Sequence, residues 1–139
     1  MASRHLSLRI DPQCFEELEA ESKRNRESLS ELARRLIEEG LRMEKHPGIV
    51  FRPGLTGRQP ALVDGPSVWV VARVLRGRDL STEQSIQEGA ALTSLRPDQV
   101  MTAARYYSEY KQEIDDWMDR LDEEAEKAYV AWLSESRPA

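Results

Sequence analysis

Arg4-His5-Leu6-Ser7-Leu8-Arg9-Ile10, closed by Asp11-Pro12, is the stretch that decides how this chain folds. It alternates strictly, with Leu6, Leu8 and Ile10 on one side and His5, Ser7 and Arg9 on the other. That period of two is the signature of a half-buried strand. No second alternating run lies close enough in the sequence to form a hairpin with it. A lone strand leaves its amides and carbonyls without partners, and the simplest remedy is the same strand from a second copy. Two copies make an antiparallel ribbon with an apolar underside and an outer face of six polar side chains: His5, Ser7 and Arg9, each twice.

The residues after the strand support a dimer. Asp11-Pro12 reads as N-cap and first helical residue, opening a helix with Phe15, Leu18 and Ser22 inward and Glu16, Glu17, Glu19 and Glu21 outward. Asn25-Arg26-Glu27 interrupts it, and Ser28 with Glu31 three residues on forms a capping box. The second helix carries a stripe of Leu29, Leu32, Ala33, Leu36, Ile37, Leu41 and Met43 and runs a few residues beyond Gly40. Strand, helix, helix in about 45 residues is too little to fold alone. A two-stranded ribbon fits the major groove of DNA, so the expectation is a DNA-binding dimer or a higher even oligomer.

Charge supports this unevenly. The chain of 139 residues has a net charge of −5, which argues against coating nucleic acid by bulk charge. Residues 1–52 hold ten basic and ten acidic side chains, 53–108 six and five, and 109–135 three and ten. No acid precedes Asp11. One end of the sequence suits phosphate and the other repels it. The lone cysteine, Cys14, forms no internal disulfide and reads as a small buried hydrophobe in a reducing cytoplasm. No apolar run approaches the roughly 20 residues of a membrane span, and no signal-peptide core is present. The expectation is a soluble cytoplasmic protein with no membrane partner.

Beyond the hinge at 46–48, Ile49-Val50-Phe51-Arg52 and Pro60-Ala61-Leu62-Val63 read as two strands of a hairpin. Gly54-Leu55-Thr56-Gly57-Arg58 lacks the Gly-Lys-Ser/Thr of a phosphate loop and the helix that should come after it. Val68 to Leu75 is apolar nearly all round and reads as a buried helix capped by Ser67 and ended by Gly77. Ser81-Thr82-Glu83-Gln84 opens a second helix with Ile86, Ala90 and Ala91 inward. Arg96-Pro97-Asp98 opens a third, with Val100, Ala103, Ala104, Tyr106 and Tyr107 behind it. The three make a helix-turn-helix-like pattern. Past Asp115 there is no Gly and no Pro until Pro138, and Tyr110, Ile114, Trp117, Leu121, Ala125, Ala128 and Trp132 recur at steps of three and four. A continuous helix over residues 97 to 133 would run about 55 Å.

Two resemblances attach to these residues. Leu6 to Pro12, Glu27-Ser28-Leu29-Ser30-Glu31-Leu32 and Arg35 to Leu41 resemble the ribbon-helix-helix family of Arc, MetJ and CopG repressors, over about the first third of the chain. The resemblance implies base contacts from His5, Ser7 and Arg9, a backbone contact from Arg4, and a phosphate grip at Ser28 and Ser30. Free amides at a helix start and its positive dipole end agree with that grip. Taken singly, these residues could be only the solvated face of a dimer strand and a cap. Taken in this order, they point to DNA. The second resemblance covers Ile-Val-Phe-Arg from Ile49, Gly65-Pro66-x-Val68-Trp69, Leu95-x-Pro97-x-Gln99-Val100 and Ala104-x-Tyr106-Tyr107 with Glu113-Ile114-Asp115. These look like the homeodomain-like antitoxin domain encoded beside PIN-type ribonuclease toxins, with Lys111-Gln112 where that family has a helix-breaking proline. In the third helix Gln99, Thr102 and Arg105 could face DNA, but packing and partner contact are the expected role.

The expected architecture is therefore mainly α. A ribbon-helix-helix domain spans 1–45, a hinge 46–48, a hairpin with a helix-turn-helix-like domain 49–115, and an acidic amphipathic helix 116–139. That last helix suits a groove on a basic partner, with tryptophans as anchors; packing against its own hairpin or dimer mate is the competing reading. The expected partner-binding residues are Ile114, Trp117, Leu121, Ala128 and Trp132, with Arg120, Lys127 and Arg137 as candidates to reach a toxin's acidic metal site, a role the resemblance implies. The resemblances imply an antitoxin that neutralises a PIN-like ribonuclease and represses its own operon by binding operator DNA. The alternative is a ribbon-helix-helix repressor without a toxin, whose second domain oligomerises or binds an effector. An enzyme fares poorly, since the sequence offers no nucleophile–base pair. No cofactor is expected, and His46 has no second ligand near it for a metal.

Overall fold

The computed structural model describes residues 2–54 and 56–136. It is mainly helical, and the described elements are α1 (Pro12–Asn25), α2 (Leu29–Lys45), β1 (Ile49–Gly54), β2 (Gly57–Leu62), α3 (Val68–Leu75), α4 (Glu83–Thr93), α5 (Pro97–Glu109) and α6 (Lys111–Ser136). They fall into two compact units, Met1–Glu44 and Lys45–Ala139.

In the first unit, local chemistry sets the helix ends. The Asp11 carboxylate accepts from the Cys14 amide at 2.9 Å, and Pro12 opens α1. The helix closes on Arg26 in the left-handed region at φ 55°. The Glu27 amide then donates to the Ser22 carbonyl at 3.0 Å, satisfying a carbonyl that the helix end would otherwise leave open. Ser28 Oγ accepts from the Glu31 amide at 3.0 Å and starts α2. Arg35 reaches back from α2 to Glu27, with bonds of 3.2 and 2.7 Å, and lies 3.8 Å from Glu39. These contacts fix the turn, but apolar burial is slight: Leu32 is the one buried hydrophobic among the unit's described residues. Phe15 stays 42% exposed and Cys14 is exposed as well. The expected burial of both therefore fails within a single chain, because no layer covers that side of α1.

The second unit has a core of its own. β1 and β2 pair antiparallel from Ile49↔Leu62 to Gly54↔Gly57. The Arg52 guanidinium donates to the carbonyls of Leu62, Val63 and Gly65, all at 2.9 to 3.0 Å, stitching the turn after β2. Trp69 Nε1 donates to Gln59 Oε1 at 3.0 Å and ties α3 to the hairpin. Helix α3 buries Val68, Val71, Ala72 and Leu75, while the rest of its apolar surface is half-buried. On α4, Ile86 and Ala90 point inward, but Ala91 is exposed, contrary to expectation. A Cβ at Gly89 would lie 3.1 Å from both Leu75 and Val100, so that glycine lets α3, α4 and α5 approach closely. Val100, Ala103, Ala104, Tyr106 and Tyr107 complete the core from α5.

The long helix expected over 97 to 133 is broken. Tyr110, at φ −113° and ψ 35°, ends α5, and α6 starts at Lys111. The Tyr110 ring sits 4.6 Å from that of Tyr106, and the bend returns Ile114 and Met118 to the core, 3% and 1% exposed. Burial of those two side chains, at roughly 1.5–3 kcal/mol each, outweighs the roughly 0.5–1.5 kcal/mol that a helical hydrogen bond is worth. No helix among the described residues is long and apolar enough to cross a membrane.

Candidate functional site

Two surfaces concentrate the candidate residues. The first is the N-terminal segment. Residues 2–11 have no regular secondary structure, so the expected strand over 4–10 is not formed within one chain. Strand hydrogen bonds need a neighbouring strand, and the described residues of this chain supply none there. Leu6, Leu8 and Ile10 are 67%, 60% and 39% exposed. Leu36, Ile37, Leu41 and Met43 on α2 are also exposed, so the inward stripe expected of α2 is mostly open. On the polar side, His5 Nε2 and Ser7 Oγ are hydrogen-bonded at 2.9 Å, which places both on one side of the segment. Arg4 and Arg9 are exposed beside them.

At the start of α2, Ser28 Oγ is committed to the Glu31 amide, while Ser30 is exposed. Glu27, whose charge would repel phosphate, is engaged by the Arg35 guanidinium through two hydrogen bonds. Those bonds come first among the causes that raise Arg35 above its ordinary pKa.

The second surface lies on α6. Its first ten or so residues belong to the unit's own core and rim. Ile114 is buried, and Trp117 and Leu121 are half-buried, so these three expected partner contacts turn inward. Trp117 packs over the hairpin tip, its ring 3.8 Å from where a Gly57 Cβ would sit. Arg120 lies with its guanidinium 5.6 Å from the centre of that ring. From Asp122 to Ser136 every residue is exposed. Ala128 and Trp132 are in this part, as is Lys127, which lies 3.6 Å from Glu124. Tyr129, Val130 and Leu133 join them at 59%, 54% and 38% exposure, and the Tyr129 and Trp132 rings stack at 6.1 Å. The expected set missed these three, although Ala125, Tyr129 and Leu133 succeed one another at steps of four. Arg137 and Leu55 lie outside the described residues.

What aims α6 is a charged network at its root. The Tyr107 hydroxyl donates to Asp115 Oδ1 at 2.5 Å, and Lys111 donates to Oδ2 at 2.6 Å. Arg76, from the end of α3, lies 3.5 Å from Asp115 and 2.8 Å from Asp119. Burial and the Asp115 hydrogen bond push the Tyr107 phenol well above its ordinary range. Burial pushes Asp115 upward as well, but the hydrogen bonds of Lys111 and Tyr107 and the charges of Lys111 and Arg76 outweigh it. The net result holds Asp115 below its usual range.

The helix-turn-helix-like face of α5 is poorly equipped to read bases. Gln99 is buried, accepting from the Arg96 amide at 2.9 Å and donating to the Asp64 carbonyl at 3.3 Å. Thr102 donates back to the Asp98 carbonyl, which leaves Arg105 exposed beside Met101. Between α4 and α5 lies an open cleft of about 480 Å³ with an apolar floor of Leu80, Ile86, Met101 and Ala104. Among the described residues no group of three His, Cys, Asp or Glu side chains is placed to hold a metal ion. No family model, curated protein or solved structure matches this chain.

Proposed function

We propose that this chain is an antitoxin: a dimeric repressor that reads its own operator through its N-terminal segment and neutralises a PIN-like ribonuclease through α6. The observation that carries the reading is a pair of uncovered apolar surfaces of opposite charge. Leu6, Leu8 and Ile10 are exposed in a segment that has no acid before Asp11. Tyr129, Trp132 and Leu133 are exposed on a helix flanked by Asp122, Glu123, Glu124 and Glu126.

The first surface suits a second copy of itself. Covering three large aliphatic side chains stabilises each chain by roughly 1.5–3 kcal/mol per residue. It leaves His5, Ser7 and Arg9 on the outer face of a ribbon, where Arg can pair with guanine and Ser with either donor or acceptor, with Arg4 at the strand's start for a DNA-backbone contact. The Arg35–Glu27 pair lessens the charge that would keep phosphate from Ser28 and Ser30. The second surface suits a groove on a basic protein, with Trp132 and Tyr129 as anchors. Of the basic candidates, Lys127 lies within this surface and Arg120 beside it.

Anisotropy with the DNA upstream of the gene tests the first half. Arg9→Ala is expected to weaken operator binding by about 1–3 kcal/mol; unchanged affinity would remove the ribbon as the reader. Truncation after Leu121 tests the second half in cells co-expressing a PIN-like ribonuclease toxin. Operator binding is expected to survive and growth rescue to be lost. Rescue by the truncated chain would overturn α6 as the neutralising surface, and failure of the full chain to rescue would leave the repressor reading without a toxin, with the α4–α5 cleft as the place for an effector.

A further inference from the structure

The sequence reads residues 46–48 as a hinge, yet their surroundings hold them. Lys45 Nζ and His46 Nε2 both meet the carboxylate of Glu109, the last residue of α5. The His46 side chain is only 11% exposed. Its ring lies edge-on to Tyr106 at 5.1 Å and to Tyr110 at 5.9 Å. Gly48 takes φ 94°, a conformation open to glycine, where an added Cβ would meet the Thr102 methyl at 3.2 Å. The backbone is tied as well: the Ile49 amide donates to the His46 carbonyl at 3.1 Å, and the Val63 amide to the Gly48 carbonyl at 2.9 Å.

The same residues make the bend between α5 and α6. Glu109 is the last residue of α5, Tyr110 is the break, and the Tyr110 ring rests on Tyr106. The grip on 45–48 and the bend therefore share Glu109, Tyr106 and Tyr110. We propose that residues 45–48 form a clasped joint, closed by Glu109, through which a change in the setting of α6 is passed to residues 45–48 and the start of β1. Hydrogen bonds first from Lys45 and then from His46 hold Glu109 below its ordinary range, which keeps the clasp anionic. A protein that docks on α6 and tilts its root would loosen or tighten this joint.

The joint is independent of what either surface binds, so its failure and that of the antitoxin reading are separate results. Amide hydrogen exchange on the full chain, read residue by residue by NMR, tests it without DNA or toxin. Glu109→Gln is expected to speed exchange about tenfold at both Ile49 and Ile114, one on each side of the clasp, and to leave Val70 unchanged. Asp115→Asn slackens α6 from its other contacts and is expected to speed Ile49 as well as Ile114. Glu88→Gln, which breaks the exposed pair with Arg78 on α4, should change neither. Where Val70 also loses protection the variant has unfolded the unit; Lys45→Ala, on the exposed side of the same contact, then carries the test with the same expected pattern. Unchanged exchange at Ile49 in the clasp variant overturns the proposal. So does an Asp115→Asn chain in which Ile114 speeds up and Ile49 does not.

Discussion

The two units solve the burial problem in opposite ways. In Lys45–Ala139 the hairpin and four helices enclose Tyr106, Tyr107, Leu75, Val100 and Met118, each at most 1% exposed, together with their buried neighbours. In Met1–Glu44 two well-capped helices enclose Leu32 and leave Leu6, Leu8, Phe15, Leu36, Ile37 and Leu41 in the open. Good caps and a fixed turn therefore do not make a self-sufficient unit; apolar area removed from water does. The second unit should be stable as one chain, and the first should depend on concentration.

The largest effect that could break this contrast is in the second unit. Tyr106→Ala removes a fully buried ring that His46, Phe51 and Tyr110 pack against. It should cost about 3–5 kcal/mol, independent of protein concentration in urea unfolding. Next, Leu8→Lys changes a side chain that a single chain leaves 60% exposed, so a monomer should tolerate it. The dimer should instead lose roughly 1.5–3 kcal/mol per chain, seen as a rise in the dissociation constant by sedimentation. No change on sedimentation would place the apolar face elsewhere than between copies.

A third test sharpens the root of α6. Asp115 is held below its unfolded value, so its stabilisation is complete above the ordinary aspartate range, about 3.9. It is lost as pH falls through the folded value. Asp115→Asn should cost about 1–3 kcal/mol near neutrality, and the difference from the parent chain should shrink under acid. A penalty independent of pH would mean that packing, not charge, carries the contact. The smallest effect is expected at Arg26, whose left-handed backbone disfavours a side chain. Arg26→Gly should stabilise the first unit by up to about 1 kcal/mol, read as a shift in that unit's unfolding midpoint.

Much of this fold is legible in the sequence because short-range chemistry writes it. Asp11-Pro12 and Ser28 with Glu31 mark helix starts that the structure places within a residue. The Gly and Pro residues of the hairpin mislead, however: Pro53, Gly54, Gly57 and Pro60 lie within the paired strands, so β2 starts three residues before Pro60. What long-range packing decides is not written locally. Nothing at Tyr110 is a helix breaker by type; the break comes from where Tyr106, His46, Ile114 and Met118 sit. Periodicity gave α6 one apolar stripe, but could not say that Trp117 and Leu121 are covered by their own unit and Trp132 is not. Gln99 looked available for the same reason, since a polar residue on a helix carries no sign that a loop carbonyl at Asp64 will claim it. Most of the candidate surface at the N-terminus was legible as residues, but the pairing proposed for it needs a second copy, which one chain does not contain.

The pairing is therefore the claim to measure most directly. A spin label on Ser7→Cys, in a chain carrying Cys14→Ser, reports the distance between two copies by pulsed electron resonance. Two antiparallel ribbon strands predict a short, narrow distance, with strands about 5 Å apart at the backbone, that lengthens only when the dimer dissociates. A broad distribution, or no dipolar coupling at concentrations where the chain is dimeric, would contradict the ribbon.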